Sequence, residues 1–563
     1  MGDIRRYIIG ALLLLPATVG LFGSNDRTLF SPESEVYELL RAVRLEAGRS
    51  IPWSSRSLTA SDIRRQLDDI DRGELSNAGR QAIAEIEKLI EPVAVYESAE
   101  EEFAFDLSPS VALEAYLNAA DSADEWQYAY GERNPLIALP GQLWLGDSLY
   151  GRVDLDLQQE KFATLDPRLS SNAPRSLDEI DYMVPYRGYV LAAGNQWFLQ
   201  TGRDRLRWGS GRSGVMVLSD EPTYYDFVRF GFGVDRFRYT SLITHIEPRF
   251  DPAADGEWEQ IRTPPSGSFD EETDEDDALE RFSDRLEDPA LEPAKTMYLH
   301  RFEFDLFERL QLALVEGMML GERRGDLRFW NPLSIYHNFF EVNLASALLG
   351  LEVNWNPWRN LNIYGEYAMN QIGTEFKPDD IPNALGGLAG VEGQLPVDAG
   401  YLTGYGEFVY TNPWLGVREH PWTSWHWRRR IVSNVESGRP VVTEPIGYRF
   451  GPDSVVMATG LGYTVPGRSN INLDLTYLRR GEQRINSPYE DSERAVSLRT
   501  PSGVVERSWI AELGGSRALE TEMIGADITL GFNAALVSIA NYRNVSGREF
   551  FDVQFSPSLV LHF

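Results

Sequence analysis

One short stretch of this 563-residue chain concentrates side chains that could bind an anionic ligand. Between residues 203 and 213 it carries Arg203, Arg205, Arg207, Trp208 and Arg212, with several glycines among them. Guanidinium groups pair bidentately with carboxylates, and the C–H face of a sugar can stack on an indole ring. The stretch is therefore a candidate site for an anionic sugar. The alternative is that the arginines pair with carboxylates inside the protein and hold the loop down.

A second cluster combines aromatic and basic residues. It consists of His420, Trp422, Trp425, His426, Trp427 and the basic triplet 428–430. The strand count given below places this cluster toward the outer side of the protein. We interpret it as an external aromatic girdle whose arginines contact lipopolysaccharide phosphates, with a platform for polysaccharide as the alternative. The triplet is too short and too isolated to indicate nucleic-acid binding.

The other residue types argue against an enzyme. The six histidines are scattered, no Gly-x-Ser-x-Gly elbow is present, and no histidine pair has metal-ligand spacing. A hydrolase site assembled from distant strands is the alternative. The acidic run 270–277 lacks the turn glycine and the spaced ligands of a calcium loop, so we interpret it as a solvated external loop. We predict a non-enzymatic protein without cofactor or metal.

The composition restricts the partners and the compartment. The formal net charge is -32, which excludes nucleic acid as a natural partner because phosphate binding needs a basic surface. The chain has no cysteine, which rules out disulfides and thiolate metal sites and fits an oxidising compartment. Aromatic residues make up 12% of the chain and there are 48 glycines, which suits strands, aromatic girdles and tight turns.

The only long apolar run lies near the N-terminus. Residues 7–15 follow Arg5-Arg6 and lead into small residues. The run is too short for a membrane-spanning helix, which needs about 20 apolar residues. We predict a signal peptide over residues 1–23, cleaved after Gly20 or Gly23, which implies export.

Residues 24–95 differ from the rest because their apolar positions recur with a helical period. Pro32 opens a first helix, Thr59 or Ser61 can cap a second, and Ser76 can cap a third. The apolar faces of these helices are small. We therefore expect a small α-helical bundle that rests on another surface, such as the mouth of a barrel.

The end of the chain has the opposite pattern. From Phe551 to Phe563 every odd position is apolar, and every even position except Val560 is polar. A period of two predicts a strand with one apolar and one polar face. The aromatic last residue resembles the C-terminal strand that the bacterial barrel-insertion machinery reads. We expect this strand to close a barrel by pairing with the strand that starts near Phe103.

Residues 96–563 are predicted to form an all-β transmembrane barrel of about eighteen antiparallel strands with long external loops. Short and long connections alternate, as in bacterial barrels with short periplasmic turns and long external loops. An even count places the C-terminus and the helical bundle together on the periplasmic side. The turns 356–358 and 412–414, each Asn-Pro-Trp, are expected at the periplasmic rim, where Trp358 and Trp414 belong to an aromatic girdle.

The strand count includes four further assignments. We expect a loop through Gly386-Gly387, a strand near residues 416–425, a long loop between Tyr477 and Met523, and a turn near Asn533. The alternation also predicts the side-chain directions. Polar residues expected to face inward are Asp154, Asp156, Glu303, Asp305, Asn472 and Asp474, and apolar residues expected to face lipid are Val153, Leu155, Phe302, Phe304, Ile471 and Leu473.

Several segments together resemble a known family. They are the helical segment 58–67, the loop 202–211 with its Arg-Trp-Gly-Ser-Gly sequence and Val217-Leu-Ser219, Trp330-Asn-Pro332 with His337, and Asn362-Ile-Tyr-Gly-Glu366. These segments resemble the Wzi family of capsule-assembly outer-membrane proteins over nearly the whole chain. Ser210 stands where the family pattern has proline, Asn362-Ile363 where it often has leucine, and the acidic segment 251–294 is an addition.

This resemblance implies a monomeric eighteen-stranded barrel with periplasmic helices and loops folded over its outer mouth. It also implies a lectin-like role in which capsular or other surface polysaccharide is held at the cell surface. The expected partners are polysaccharide or lipopolysaccharide, outer-membrane lipid and the barrel-insertion machinery. The alternative is a general or substrate-selective diffusion porin. The two hypotheses differ in whether loops fill the lumen.

Overall fold

The alternating segments pair with their neighbours along the chain, and the sheet that they form closes on itself. This computed structural model describes residues 26–51, 54–91, 94–97, 103–120, 125–161, 170–183, 185–234, 236–247, 295–321, 327–331, 334–338, 345–372, 382–418, 421–430, 441–487, 489, 493–519 and 527–563. The predicted signal peptide, the acidic run 270–277 and His420 lie outside these ranges. Within them, no helix is both long enough and apolar enough to cross a membrane.

Strands account for most of the described chain. They are β1 (Tyr96–Glu97), β2 (Phe103–Leu107), β3 (Ser110–Glu114), β4 (Leu117–Asn118), β5 (Ile137–Ala138), β6 (Pro140–Leu145), β7 (Leu149–Asp154), β8 (Gly188–Ala193), β9 (Trp197–Asp204), β10 (Tyr225–Val234), β11 (Phe237–Ile246), β12 (Lys295–Leu306), β13 (Leu310–Gly321), β14 (Ala345–Trp358), β15 (Leu361–Gln371), β16 (Ala384–Val397), β17 (Gly400–Thr411), β18 (His426–Arg430), β19 (Val441–Pro445), β20 (Ser454–Val465), β21 (Ser469–Arg480), β22 (Glu506–Leu519), β23 (Asp527–Ala540) and β24 (Glu549–His562).

The predicted strand number and closing pair are confirmed. All strands except the separate hairpin β18–β19 belong to one antiparallel sheet of 22. Within it, β2, β3 and β4 are successive parts of one barrel strand, which lies between β24 and the strand formed by β5 and β6. β5 and β6 together make the next barrel strand. The short β1 pairs with the edge of β2 and is not counted as a barrel strand. Eighteen barrel strands remain, and β24 pairs with both β23 and β3.

Four assignments within the count were wrong, and their effects on the total cancel. β16 runs through the predicted loop at Gly386-Gly387, and β22 lies in the predicted long loop after Tyr477. Both strands are rich in glycine or polar residues, which masks their alternation. β23 continues through Asn533 without a turn, and the described residues 416–418 and 421–425 contain no barrel strand.

The two faces of the barrel wall follow the predicted alternation. Along β24, Phe551 is 58% exposed on the outside, whereas Asp552 is 1% exposed on the inside. On β21 the apolar Ile471 and Leu473 are exposed, and Asp474 lines the interior. The outer surface is therefore apolar and the inner surface polar, as a wall that faces lipid requires.

The N-terminal helices begin where the sequence indicates. The helices are α1 (Glu35–Ala47), α2 (Ala60–Asp68), α3 (Asn77–Ile90) and, far along the chain, α4 (Glu493–Ser497); short 3-10 turns lie at Arg72–Glu74, Tyr130–Glu132, Leu177–Glu179, Leu327–Trp330, Tyr336–Asn338 and Tyr542–Asn544. Thr59 caps α2 in a capping box, and the Ser76 hydroxyl caps α3. The apolar faces of α1, α2 and α3 pack on one another and on Tyr401 of β17.

The barrel has two different ends. The turns β6–β7, β8–β9, β10–β11, β12–β13, β14–β15, β16–β17 and β20–β21 are short and share one end, which we call the short-turn end; the other is the long-loop end. The helical bundle rests on the short-turn end, where Asn360 donates its backbone N–H to Leu45 and Tyr401 donates its hydroxyl to Glu46 at 2.6 Å. Trp358 is exposed at this end, as predicted.

The prediction for Trp414 was wrong. Its indole is 1% exposed and packs on Tyr489 at the long-loop end. The reason is topological, because omitting β16 from the count inverts the direction assigned to β17. The turn after Thr411 therefore belongs to the long-loop end.

Candidate functional site

The connection between β9 and β10, residues 205–224, folds into the barrel, and we call it the inner loop. The Glu366 carboxylate on β15 accepts backbone N–H groups of Ser210 and Met216, each at 2.8 Å. The Ser210 hydroxyl donates to Glu352 on β14 at 2.7 Å. Buried carboxylates of the wall thus hold the tip of the loop in the lumen.

Steric contacts explain why glycine occupies position 209, the first glycine of the Trp-Gly-Ser-Gly sequence. Gly209 has φ +138°, and a Cβ at this position would lie 2.6 Å from a Glu366 carboxylate oxygen and 2.7 Å from a Val215 methyl. Only glycine takes this backbone conformation at such close approach without strain. The sequence motif therefore indicates that the backbone of the inner loop passes close to the barrel wall at Gly209.

A second segment enters the lumen from the short-turn end. It consists of residues 54–58 between α1 and α2, and we call it the inner segment. Gly209 donates its backbone N–H to the Ser54 carbonyl at 3.2 Å. The Ser55 hydroxyl donates to Glu303 on β12 at 3.0 Å. The inner loop and the inner segment therefore meet inside the barrel.

A buried arginine organises the point where they meet. Arg301 on β12 lies 3.1 Å from Glu303 and 2.5 Å from Glu352, and it donates to the Ser54 hydroxyl at 2.5 Å. Its guanidinium also lies 5.8 Å from the ring of Trp208, which is 1% exposed. Buried charges are tolerated when they are paired and hydrogen-bonded, as here.

Three arginines of the predicted sugar site are paired within the protein. Arg205 lies 2.9 Å from Glu33, and Arg207 lies 2.8 Å from Asp220 of the same loop. Arg212 joins the inner loop to the helical bundle and to the wall, as described next. These ion pairs correspond to the alternative interpretation of the sequence, in which the arginines pair within the protein and hold the loop down. A sugar contact by these three side chains stays a prediction.

Arg212 bridges two carboxylates from different elements. It lies 2.6 Å from Glu38 of α1 and 2.9 Å from Glu392 of β16, which also pairs with Arg41. The Glu38 side chain is 45% exposed, and its partial burial raises its pKa, but the guanidiniums of Arg212, Arg56 and Arg41 outweigh this effect and hold the pKa well below its usual range. Burial likewise opposes the charge of Arg212, but Glu38 and Glu392 raise its pKa.

Arg203 lies apart from the other loop arginines. It lies one residue before the end of β9 at the long-loop end, pairs with Asp226 of β10 at 2.7 Å, and stacks over the Tyr224 ring at 3.8 Å. The Trp427 ring meets the same tyrosine edge-on at 5.6 Å, and the Arg429 guanidinium lies 4.6 Å from it. The two predicted clusters therefore come together at Tyr224.

We call this group the rim cluster, and it has one further ring. Its members are Arg203, Tyr224, Tyr186, Trp427 and Arg429. Tyr186 stacks on Tyr224 at 5.8 Å, and Arg429 lies 5.3 Å from the Tyr186 ring. Arg429 is 2% exposed, and its Nε and one terminal nitrogen have no hydrogen-bond partner within the described ranges. A guanidinium with free donors among aromatic rings is suited to an anion.

The other tryptophans of the second cluster have separate positions. Trp425 is buried and donates its indole N–H to Ser346 of β14 at 3.0 Å. Trp422 is partly buried on the turn before β18. His426 is buried on β18, and burial together with the charges of Lys295 and Arg428 holds its pKa well below its usual range. Only Trp427 of these tryptophans joins the rim cluster.

Sequence reasoning missed the wall carboxylates that receive the inner loop. They are Glu352, Glu366, Glu392 and Glu407 on β14, β15, β16 and β17. Glu407 accepts the backbone N–H of Ser213 at 2.8 Å. The available signal was a carboxylate at an inward position on each of four successive strands, but one of those strands, β16, was predicted to be a loop. Within the described ranges, no group of His, Asp or Glu is arranged to hold a metal ion.

Comparisons with known proteins concern the fold. No family profile and no curated protein matches this sequence. The carbohydrate-binding β-barrel Wzi of Escherichia coli, an outer-membrane protein involved in group 1 capsule assembly, is 12% identical with a TM-score of 0.57, over 95% of this chain and 99% of Wzi. The outer-membrane channel DcaP of Acinetobacter baumannii is 10% identical with a TM-score of 0.34, over 84% and 100% of the two chains. The likeness to Wzi shows that this chain has the fold of an outer-membrane β-barrel.

Proposed function

We propose that this protein is a Wzi-type outer-membrane barrel that binds surface or capsular polysaccharide and helps to retain or assemble it at the cell surface. No enzymatic step belongs to this role. The proposal includes export through a cleaved signal peptide, insertion as a monomer by the barrel machinery, and a periplasmic location for the short-turn end. The long-loop end then faces the polysaccharide.

The observation that carries the proposal is the crossing of the lumen by two chain segments. A diffusion porin of this size keeps an aqueous passage through its centre. Here the inner loop and the inner segment meet at Gly209 and Ser54 and are bonded to the wall through Glu366 and Arg301. This arrangement supports a binding role over general diffusion. The fold shared with the carbohydrate-binding Wzi supports it as well.

The rim cluster is the proposed polysaccharide site. It combines Arg429, of which Nε and one terminal nitrogen have no hydrogen-bond partner within the described ranges, with the aromatic rings of Tyr186, Tyr224 and Trp427. Carboxylates on a sugar pair with guanidinium groups, and sugar C–H faces stack on aromatic rings. The ligand class is therefore an acidic polysaccharide. Arg205, Arg207, Arg212, Trp208 and Trp425 then act by holding the loops that carry the cluster.

Retention on an immobilised acidic polysaccharide tests this site. Purified full-length protein in detergent is expected to be retained, and the double variant Arg203→Ala, Arg429→Ala is expected to lose retention about tenfold or more, because two charge-assisted contacts disappear. Heat-modifiable migration in gel electrophoresis shows that the variant barrel is folded. A matched control is Arg236→Ala, which removes an exposed arginine at the short-turn end.

Three outcomes separate the alternatives. Retention that survives the double variant would contradict the rim site. Absence of retention by the natural protein on several acidic polysaccharides would contradict the binding role. Preferential retention on lipopolysaccharide, with the same loss in the double variant, would identify lipid-linked phosphate as the ligand of this cluster.

A further inference from the structure

A polar space remains along one side of the lumen, outside the crossing segments. A cavity of about 630 Å³ extends from α1 at the short-turn end along β16, β17, β20 and β21. A second cavity of about 340 Å³ continues it along β21–β24 to residues 126–132. Both cavities are lined by Gln127, Asn472, Asp474 and Glu512. The two cavities therefore adjoin and form one path, which we call the side path.

Several small residues of the inner wall line the side path. Gly460 and Gly462 on β20, Gly514 on β22 and Ala535 on β23 line it. A Cβ on Gly514 would come 2.9 Å from the Asn472 amide and 3.2 Å from that of Asn533. A larger side chain at Gly514 would displace these amides, so the polar groups along the path keep their positions only with glycine here.

Four carboxylates along the side path form no close ion pair among the described residues. Within the described ranges, no arginine or lysine nitrogen lies within ion-pair distance of Glu35, Glu132, Asp474 or Glu512, which all line the path. Among the described residues, the hydrogen bonds that Asp474 accepts come from neutral groups, the Tyr405 hydroxyl at 2.7 Å and the Asn472 amide at 2.9 Å.

The arginines that line the path are neutralised. Arg41 pairs with Glu392, Arg212 with Glu38 and Glu392, and Arg449 with Glu221 at 3.6 Å. The fixed charge that remains along the path is negative. A cleft with one sign of charge and low-dielectric walls concentrates ions of the opposite sign.

A second observation indicates a polar occupant. Ser556 on β24 lines the cavity and is 2% exposed, and its hydroxyl has no hydrogen-bond partner within the described ranges. Buried hydroxyls are normally satisfied, so this group is suited to a water molecule or hydrated ion in the path. The amides of Gln127, Asn472 and Asn533 offer further polar contacts nearby.

A chain segment crosses the path at the long-loop end. The Gln127 backbone N–H donates to the Gln554 side chain at 3.0 Å, and the Gln554 amide donates to the Glu125 carbonyl at 2.9 Å. The Tyr128 hydroxyl donates to Glu114 of β3 at 2.8 Å. These bonds fasten the segment 125–132 across the path, and Gln554 makes two of them.

We propose that the side path conducts small cations between the two ends of the barrel, with segment 125–132 as its narrowest point. Acidic side chains select the permeating ion, and the polar wall replaces part of its hydration. This function is separate from polysaccharide binding at the rim cluster. It predicts a small conductance, because the crossing segments block the rest of the lumen.

Planar-bilayer recording of the purified full-length protein tests the proposal. In a gradient of potassium chloride, the reversal potential is expected to have the sign of potassium selectivity. The double variant Asp474→Asn, Glu512→Gln is expected to lower the ratio of potassium to chloride permeability by about tenfold, because half of the unpaired carboxylates lose their charge. The control Asp398→Asn changes an exposed acid in the short β16–β17 turn and is expected to leave selectivity unchanged.

A variant at segment 125–132 tests the proposal even if the conductance of the natural protein is small. Gln554→Ala removes both hydrogen bonds to segment 125–132 and is expected to raise the conductance several-fold while keeping cation selectivity. Anion selectivity, or selectivity that the double carboxylate variant does not change, would overturn the proposal. Silence of both the natural protein and Gln554→Ala, each with heat-modifiable migration, would overturn it too.

Discussion

The two sides of the lumen differ in how far side chains and loops fill them. Along β12–β16 the inward residues are large or charged, and the inner loop and the inner segment fill the space between them. Along β20–β24 the inward positions are often glycine, alanine or serine, and cavities of about 630 and 340 Å³ remain. Both walls have the same strand alternation, so the difference lies in residue size and in charge pairing.

The pairing of carboxylates with cations differs between the packed and the open half of the barrel interior. In the packed half, carboxylates are buried and each meets a guanidinium or several N–H donors, as Glu352 and Glu366 do. In the open half, Asp474 and Glu512 line the cavity and form no close ion pair among the described residues. A buried charge without a partner is costly, whereas a charge facing a hydrated cavity is not.

The largest expected effect comes from the centre of the packed half. Arg301→Ala leaves Glu303 and Glu352 buried without their cation, which should destabilise the barrel by about 3–5 kcal/mol. The measurement is the temperature at which heat-modifiable migration is lost. Arg236→Ala, on the exposed short-turn end, should cost less than about 1 kcal/mol. Equal losses in the two variants would mean that the buried network does not stabilise the packed half.

A matched pair of alanines compares the packing of the two halves. Ala368→Leu inserts atoms into a fully buried position of the packed core and should destabilise by about 1–3 kcal/mol. Ala535→Leu inserts the same atoms beside the cavity of the open half and should cost clearly less. The midpoint of urea unfolding gives both values. If Ala535→Leu is as destabilising as Ala368→Leu, the side path is not open in solution.

The smallest expected effect is that of pH on the ion pair that links the inner loop to α1. The folded pKa of Glu38 lies below the ordinary 4.5, so its ion pair with Arg212 contributes stability above that value. The contribution is lost as the pH falls below 4.5 through the folded pKa. Amide hydrogen exchange of residues 209–213, corrected for intrinsic rates, should speed up in this window. Glu38→Gln should remove the pH dependence, and a dependence that persists in this variant would assign it to another carboxylate.

The sequence predicted the barrel because its signals are local. A period of two, as in Phe551–Phe563, survives in any context, and capping residues such as Thr59 act within one turn of their helix. Prediction failed where alternation was masked, as in the glycine-rich β16, and the error carried over to the side assigned to Trp414. The total strand number was right only because the errors cancelled.

The candidate site was predicted in part. The residue types at Arg203–Arg212 indicated either a ligand or internal pairing, and the two readings use the same side chains. What separated them was the distance from Arg205 to Glu33 and from Arg212 to Glu392, partners 172 to 180 residues away in the chain. No local pattern relates residues so far apart. The meeting of Arg203 and Trp427 at Tyr224 had the same origin.

By itself the sequence determined the strand alternation, the helical N-terminal piece, the negative charge and the absence of thiol chemistry. These follow from composition and near-neighbour spacing, which do not depend on how the chain closes. Only the tertiary structure decided that the inner loop turns into the lumen, that its arginines are neutralised, and that one side of the lumen remains open. Each of these depends on which side chains meet across the barrel, and closing the sheet is what brings them together.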